Sequence, residues 1–367
     1  MKSVLKYQRF PCFEILAVSI AVLLHIASGS TSLRANSATA KPAQVKPGPS
    51  GYHLLKKITL GGEGSWDYIN FDSPTRRLFI SRQTKVIVLD VDSERVVGEI
   101  PNTEGVHGIA FAPEFNRGFT SNGRAGTVTI FDMKSLAVIA TVQAGTNPDA
   151  IVYDPASKRV FAMNGRSSNS TAIDAATGKV VGTIALSGKP EFAVADGAGH
   201  VYVNIEDKSE LWQIDSQKLV VTAHWPLAPC KEPSGLAMDA EHRRLFSGCD
   251  NKMVAVVDED TGKVIATPEI GDGVDANGFD PGTGFVFSSN GESGTFTVIH
   301  EDGRDKYTVL ENVPTLKSAR TMTLDPKTHE VFLVGAQFGP RPAATPETPH
   351  PRPPVLPNSF VVLMYGR

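Results

Sequence analysis

Along this chain apolar residues alternate with polar ones in short runs broken by turns. A short apolar strand, a tight turn that is often Asp-Pro, and a strand centred on an aromatic residue recur seven times. The units read "INFDSPTRRLFIS", "IAFAPEFNRGFTS", "IVYDPASKRVFAM", "AVADGAGHVYVN", "LAMDAEHRRLFSG", "NGFDPGTGFVFSS" and "MTLDPKTHEVFLV". Period-two alternation bounded by Gly, Pro and Asp predicts half-buried strands rather than amphipathic helices. The central aromatics are Phe79, Phe119, Phe161, Tyr202, Phe246, Phe287 and Phe332, spaced 40, 42, 41, 44, 41 and 45 residues apart. Each unit continues with a third strand ending near Asp90, Asp132, Asp174, Asp215 or Asp258. A turn such as "DAATGKVVG" or "DEDTGKVIA" then leads into a fourth strand. Gly178 and Gly262 fall where such hairpins need a positive φ.

Seven four-stranded units of this length predict an all-β, seven-bladed β-propeller with antiparallel blades over residues 52–367. The seventh unit stops at its third strand, "SFVVLMYGR". The stretch "YHLLKKITL", Tyr52 to Leu60, is expected to supply the missing fourth strand and leave the ring no open edge. The turn Asp, present in six of seven units, is expected to accept hydrogen bonds from its own turn. Asp258, Asp260 and Glu269 mimic a calcium loop, but the glycine falls at the fifth position instead of the sixth, so this is a hairpin turn. The Trp66-Asp67 dipeptide opens a first strand, unlike the dipeptide of WD40 repeats. The chain has no G-x-S-x-G, P-loop, C-x-x-C or C-x-x-C-H motif.

Composition adds the location. The chain has 367 residues, 41% hydrophobic and 20% charged, which suits a globular core. Lys2, Lys6 and Arg9 precede the apolar run Ile15 to Ala27, which is too short to span a bilayer comfortably. Residues 1–29 therefore read as a signal peptide, with "ASG" (27–29) or "ATA" (38–40) at the cleavage site, and 30–51 as a flexible linker. Cys12 precedes the apolar run, so no lipoprotein anchor is expected. The expected product is periplasmic or secreted and monomeric, with no stable membrane span. The leader removes more basic residues than acidic ones, and no basic tract remains, so nucleic acid is not an expected partner. Cys230 and Cys249 flank one repeat unit on the same side and form a candidate disulfide, which fits an oxidising compartment.

Aromatic strands ending in Asn ("FTSN", "FAMN", "YVN", "FSSN"), with D-x-x-T-G-K-V turns, resemble the YVTN-repeat β-propellers, most closely their YncE-like exported branch. The resemblance spans Tyr52 to Arg367 and implies the propeller fold. The wider superfamily includes propeller lactonases and haem-binding propellers, but no motif carries a catalytic residue over from either.

Counting five residues back from each turn position gives the start of each first strand: Asp67, His107, Asp149, Glu191, Ser234, Asp275 and Arg320. All are polar, whereas the next positions are mostly small. First strands of a propeller line its channel, so these seven converge at the channel mouth as a net negative ring. His107, Asp149 and Glu191, from consecutive blades, are candidate ligands for a divalent metal. Arg320 lies between Asp275 and Asp67 and is expected to pair with one of them. Loops on the same face, "SNGRAG", "MNGRSSNS" and "SSNGESG", offer Asn122, Arg124, Asn164, Arg166 and Asn290 as ligand contacts, the two arginines suiting an anion. Asn277 occupies an otherwise apolar position and is expected to satisfy a local backbone group. The loop 335–358 carries eight prolines and reads as a semi-rigid cover, a partner-binding arm or a disordered insertion. The function expected is a binding or interaction module for a small-molecule ligand or an envelope protein partner. The rival is a lactonase-like hydrolase, with His107 as base, Glu191 or Asp149 as acid or metal ligand, and Arg320 orienting a carboxylate.

Overall fold

The computed structural model describes residues 48–367 apart from Pro346, Glu347, His350 and Arg352. The signal peptide and most of the linker expected above lie outside the described residues. Seven four-stranded antiparallel sheets form the blades of a ring, as the repeats predict. The innermost strands are Ile69–Asp72, Val106–Ala112, Pro148–Asp154, Pro190–Ala195, Pro233–Asp239, Val274–Asp280 and Met322–Asp325. The seventh blade is completed by His53–Thr59, which pairs with Val361–Gly366 in the register His53 to Gly366 through Thr59 to Val361. First and last parts of the propeller thus share one sheet, and the ring closes through backbone hydrogen bonds. Among the described residues no helix is long and apolar enough to cross a membrane.

The aromatic at the centre of each second strand explains the repeat. Phe79, Phe119, Phe161, Tyr202, Phe246, Phe287 and Phe332 are all fully buried, between sheets. Burying one such side chain contributes on the order of 2 kcal/mol, so the spacing of these anchors sets the spacing of the blades. Between third and fourth strands, the carboxylate of Asp174 accepts from the N–H and hydroxyl of Thr177, and Gly178 takes φ +73° to close the turn. Asp258 treats Thr261 in the same way, with Gly262 at φ +68°, so the calcium-loop mimic is a hairpin turn.

The turn aspartates brace their own turns, as expected, and also reach the next blade. Asp154 accepts from the Ser157 N–H and from the Ser216 hydroxyl of blade 4. Asp280 of blade 6 faces His329 of blade 7 at 2.8 Å, and Asp325 of blade 7 pairs with Arg76 of blade 1 at 2.7 Å. Asparagines tie blades together nearer the channel. Asn277 donates to the Phe246 carbonyl at 3.0 Å, the local backbone role expected for it, and Asn70 donates to the Ile109 carbonyl at 3.0 Å.

Candidate functional site

Six of the seven first-strand residues form one connected line of contacts on one face of the ring. Asp67 Oδ2 hydrogen-bonds His107 Nδ1, whose other carboxylate neighbour, Asp149 Oδ1, lies 3.6 Å away. In the other direction, Asp67 Oδ1 accepts from Arg320 Nη2 at 3.1 Å, and Arg320 Nε donates to Asp275 Oδ2. Ser234 Oγ lies 3.1 Å from Asp275 Oδ1. Arg320 therefore bridges both carboxylates, where the sequence suggested a choice between them. One guanidinium reaches two blades because its fork presents several donors.

Glu191 stands apart from the metal set expected for it. Its carboxylate faces Lys189 at 3.3 Å, and Lys189 also pairs with Glu206. The donors that do gather, within 4.8 Å of one another, are Asp67, His107 and Asp149. The correction follows from Lys189, just before the same strand, which faces the Glu191 carboxylate and the Glu206 carboxylate on this side of the mouth. A second correction concerns the loop asparagines. Asn122, Asn164 and Asn290 are fully buried rather than displayed at the mouth. Their side-chain amides donate to the hydroxyls of Thr129, Thr171 and Thr297, so they brace the second and third strands of their blades. Arg124 and Arg166, from the same loops, are exposed and carry no ion pair among the described residues.

These arginines, His107, Arg320 and Asp67 line a cavity of about 570 Å³, together with Trp66, Gln83, Gly123 and Asn147. The imidazole of His107 lies so close to Gly123 that a Cβ there would meet its Nε2 at 2.6 Å. Across the mouth, Lys189, Glu191, Glu206, Glu232, Asp250 and Asp275 line a smaller cavity of about 270 Å³. The two cavities thus differ in charge: the larger is lined by three arginines and one carboxylate, the smaller by one lysine and five carboxylates.

Tyr68 was missed by counting polar positions. It follows Asp67, at a place held by Gly108, Ala150, Gly235, Ala276 and Thr321 in five other blades. Only Phe192 is comparably large, and the two rings meet edge to face at 5.2 Å between centroids. They close off a cavity of about 250 Å³ in the channel below. A large residue among small ones was the available signal. The Tyr68 hydroxyl lies among the carboxylates of Asp149, Glu191, Asp67 and Asp275; burial first, and then those charges, hold its pKa well above the usual tyrosine range.

The ring carboxylates respond to the same crowding. Burial pushes Asp149 up to about 7 against the opposing pull of His107, and burial raises Glu191 well above its ordinary value. Burial also raises Asp275, although Arg320 opposes it. For His107 burial favours the neutral ring, but the Asp67 hydrogen bond and the Asp149 and Asp67 charges together outweigh it and raise the pKa.

Cys230 and Cys249 form the expected disulfide, with Cα atoms 5.5 Å apart, between the approach to the blade 5 inner strand and the end of its second strand. The described base of the proline-rich loop is a short ladder, Phe338 pairing with Val355 and the Leu356 N–H donating to the Gln337 carbonyl. Phe338 stacks on Trp66 at 5.9 Å and lines a cavity with Arg320 and Asp275, so the described base of the loop lies beside the mouth.

Solved structures share the architecture. The chain superposes on Kuenenia stuttgartiensis hydrazine synthase with a TM-score of 0.66 at 15% identity, covering 74% of this chain and 92% of that one. A structure of U3-55K gives 0.70 at 11% identity, covering 86% and 99%. The RRP9 WD40 repeats give 0.72 at 11% identity, covering 88% and 99%. Identities this low establish the propeller fold alone. No family model and no curated protein matches the sequence.

Proposed function

We propose that this protein is an exported propeller of the YVTN-repeat, YncE-like kind that acts as a binding module and takes a small anionic ligand at the channel mouth. One observation carries the reading: Arg124 and Arg166 line the same cavity as His107 and Arg320, and neither arginine has an ion-pair partner among the described residues. The one carboxylate lining that cavity, Asp67, is already matched by His107 and Arg320. A carboxylate or phosphate entering there meets unpaired guanidinium groups suited to two-point recognition. Export is supported by the apolar run at residues 15–27 and by the Cys230–Cys249 disulfide, which persists in an oxidising compartment. The proline-rich loop beside the cavity offers a flanking surface for a protein partner.

The test is calorimetric titration of metal-stripped protein with citrate, phosphate and a neutral sugar. The reading predicts that an anion binds, that affinity falls with added salt, and that Arg124→Ala with Arg166→Ala lowers it at least tenfold. Lys218→Ala, on the opposite face, should leave it unchanged. Equal binding by the double variant would refute the reading.

A further inference from the structure

The geometry points to a divalent transition-metal site at the floor of the mouth, built from Asp67 Oδ2, His107 Nδ1 and Asp149 Oδ1. The inference rests on the mouth being the binding surface proposed above, and it names an ion that would be part of that surface. The three donor atoms already lie within 4.8 Å of one another, from three consecutive blades. The sheets position all three; an ion would take the place of the proton that His107 and Asp67 now share, with those two atoms moving apart to admit it.

The surroundings fix two of the three donors from behind. The Asp67 N–H donates to Ser81 Oγ at 2.9 Å, its carbonyl accepts from Thr321 Oγ1 at 2.8 Å, and its Oδ1 accepts from Arg320. Oδ2 alone is left facing the imidazole. Arg320 is held in turn by Asp275, which Ser234 supports. Outer contacts of this kind orient a ligating carboxylate. The His107 ring lies against Gly123, the small residue that makes room for it.

A separate observation indicates a missing partner. The Tyr68 residue is 8% exposed, and its hydroxyl has no protein hydrogen-bond partner among the described residues. Asp149 is the strongest charge acting on it. The Asp149 carboxylate likewise receives no protein hydrogen bond other than the distant approach of His107 at 3.6 Å. The Asp149 side chain is 14% exposed, open to a partner from the mouth, and an ion between Asp149, His107 and Asp67, with its water turned toward Tyr68, would supply one.

The donor set selects the ion. One imidazole with two carboxylates suits zinc, cobalt or manganese, whereas calcium wants six to eight oxygens and magnesium keeps its waters. Asp67 and His107 line the same cavity as Arg124 and Arg166, so an anionic group held there would lie next to the ion.

Calorimetry with Zn²⁺ and absorption with Co²⁺, on the full chain freed of metal and without added anion, test the site. The expected result is one ion per chain, a Co²⁺ visible spectrum typical of mixed nitrogen and oxygen ligation, and no comparable binding of Ca²⁺. His107→Ala and Asp149→Ala should each weaken Zn²⁺ binding at least tenfold, with Tyr68→Phe weakening it less. Should either alanine variant fail to fold, His107→Gln and Asp149→Asn give the same comparison. His242→Gln, on the opposite face, should bind like wild type. No ion in the wild type, or binding that survives His107→Ala and disappears in His242→Gln, overturns the inference. Anion binding by metal-free protein with no metal site would remove this inference and leave the proposed function standing; a metal site without anion binding would do the reverse.

Discussion

The described residues include two clusters of one histidine and two carboxylates, on opposite faces. At the mouth are Asp67, His107 and Asp149, with Tyr68 alongside; at the turn face are Asp239, His242 and Glu301, with Tyr307 alongside. The turn-face cluster is internally complete. Asp239 Oδ1 accepts from the N–H groups of Glu241 and His242, and its Oδ2 faces His242 Nδ1 at 2.6 Å. Glu301 of the next blade accepts from the Tyr307 hydroxyl at 3.1 Å. This is a variant of the clamp that Asp280 makes with His329 and Asp325 with Arg76, repeated because every blade must hold the next. At the mouth, the Tyr68 hydroxyl makes no hydrogen bond and the Asp149 carboxylate accepts none closer than His107 at 3.6 Å, among the described residues, and a large cavity adjoins Asp67 and His107. The lesson is that residue types do not distinguish a binding site from a clamp, whereas unsatisfied polar groups beside open space do.

The largest effect that sharpens this contrast should come from the turn face. Asp239→Ala removes the turn hydrogen bonds at a buried position and leaves His242 without its carboxylate partner. It should destabilise the fold by about 2–3 kcal/mol in chemical denaturation. Asp149→Ala, at the mouth, should change stability by less than about 1 kcal/mol, because no protein hydrogen bond is lost. Equal destabilisation by the two would dissolve the distinction.

The tyrosines give a smaller version of the same test. Tyr307→Phe deletes a hydrogen bond to Glu301 and should cost about 1 kcal/mol. Tyr68→Phe removes a hydroxyl without a protein partner and should be neutral or slightly stabilising in metal-free protein. A cost at Tyr68 as large as that at Tyr307 would mean that its hydroxyl is satisfied within the protein.

The smallest effect is in pH. Burial first, and then the neighbouring Asp239, raise the pKa of Glu301; the Asp239 hydrogen bond raises that of His242. A group whose folded pKa is raised contributes stability that is full below its unfolded pKa and is lost as pH rises through the folded one. The advantage of wild type over Glu301→Gln should therefore shrink as pH rises from about 4.3, the ordinary glutamate value, and then level off. The His242 contribution should decline above about 6.5. Denaturation curves across this range check both, and an advantage that grows with pH would contradict the assignment.

Much of the fold was legible in the sequence because propeller blades repeat. Seven aromatics at near-constant spacing set the register, and one count back from the turns found the residues that meet at the mouth. The failures share a cause: a repeat specifies where a residue starts, not which neighbour its side chain meets. Glu191 occupies the expected strand position, yet Lys189 beside it claims its carboxylate. Asn122, Asn164 and Asn290 end their strands as the pattern suggests, but threonines on the adjacent strand draw their amides inward. Tyr68 escaped notice because a tyrosine beside an apolar strand resembles core. Its significance depends on four carboxylates contributed by four different blades.

The most direct measurement is an imidazole nitrogen–proton correlation spectrum of the full chain, recorded while Zn²⁺ is added to metal-free protein. His107 and His242 would be assigned through their glutamine variants. The account predicts that the His107 resonances move to a bound position at one equivalent while those of His242 stay fixed. Movement at His242 alone, equal movement at both, or none at either would contradict it.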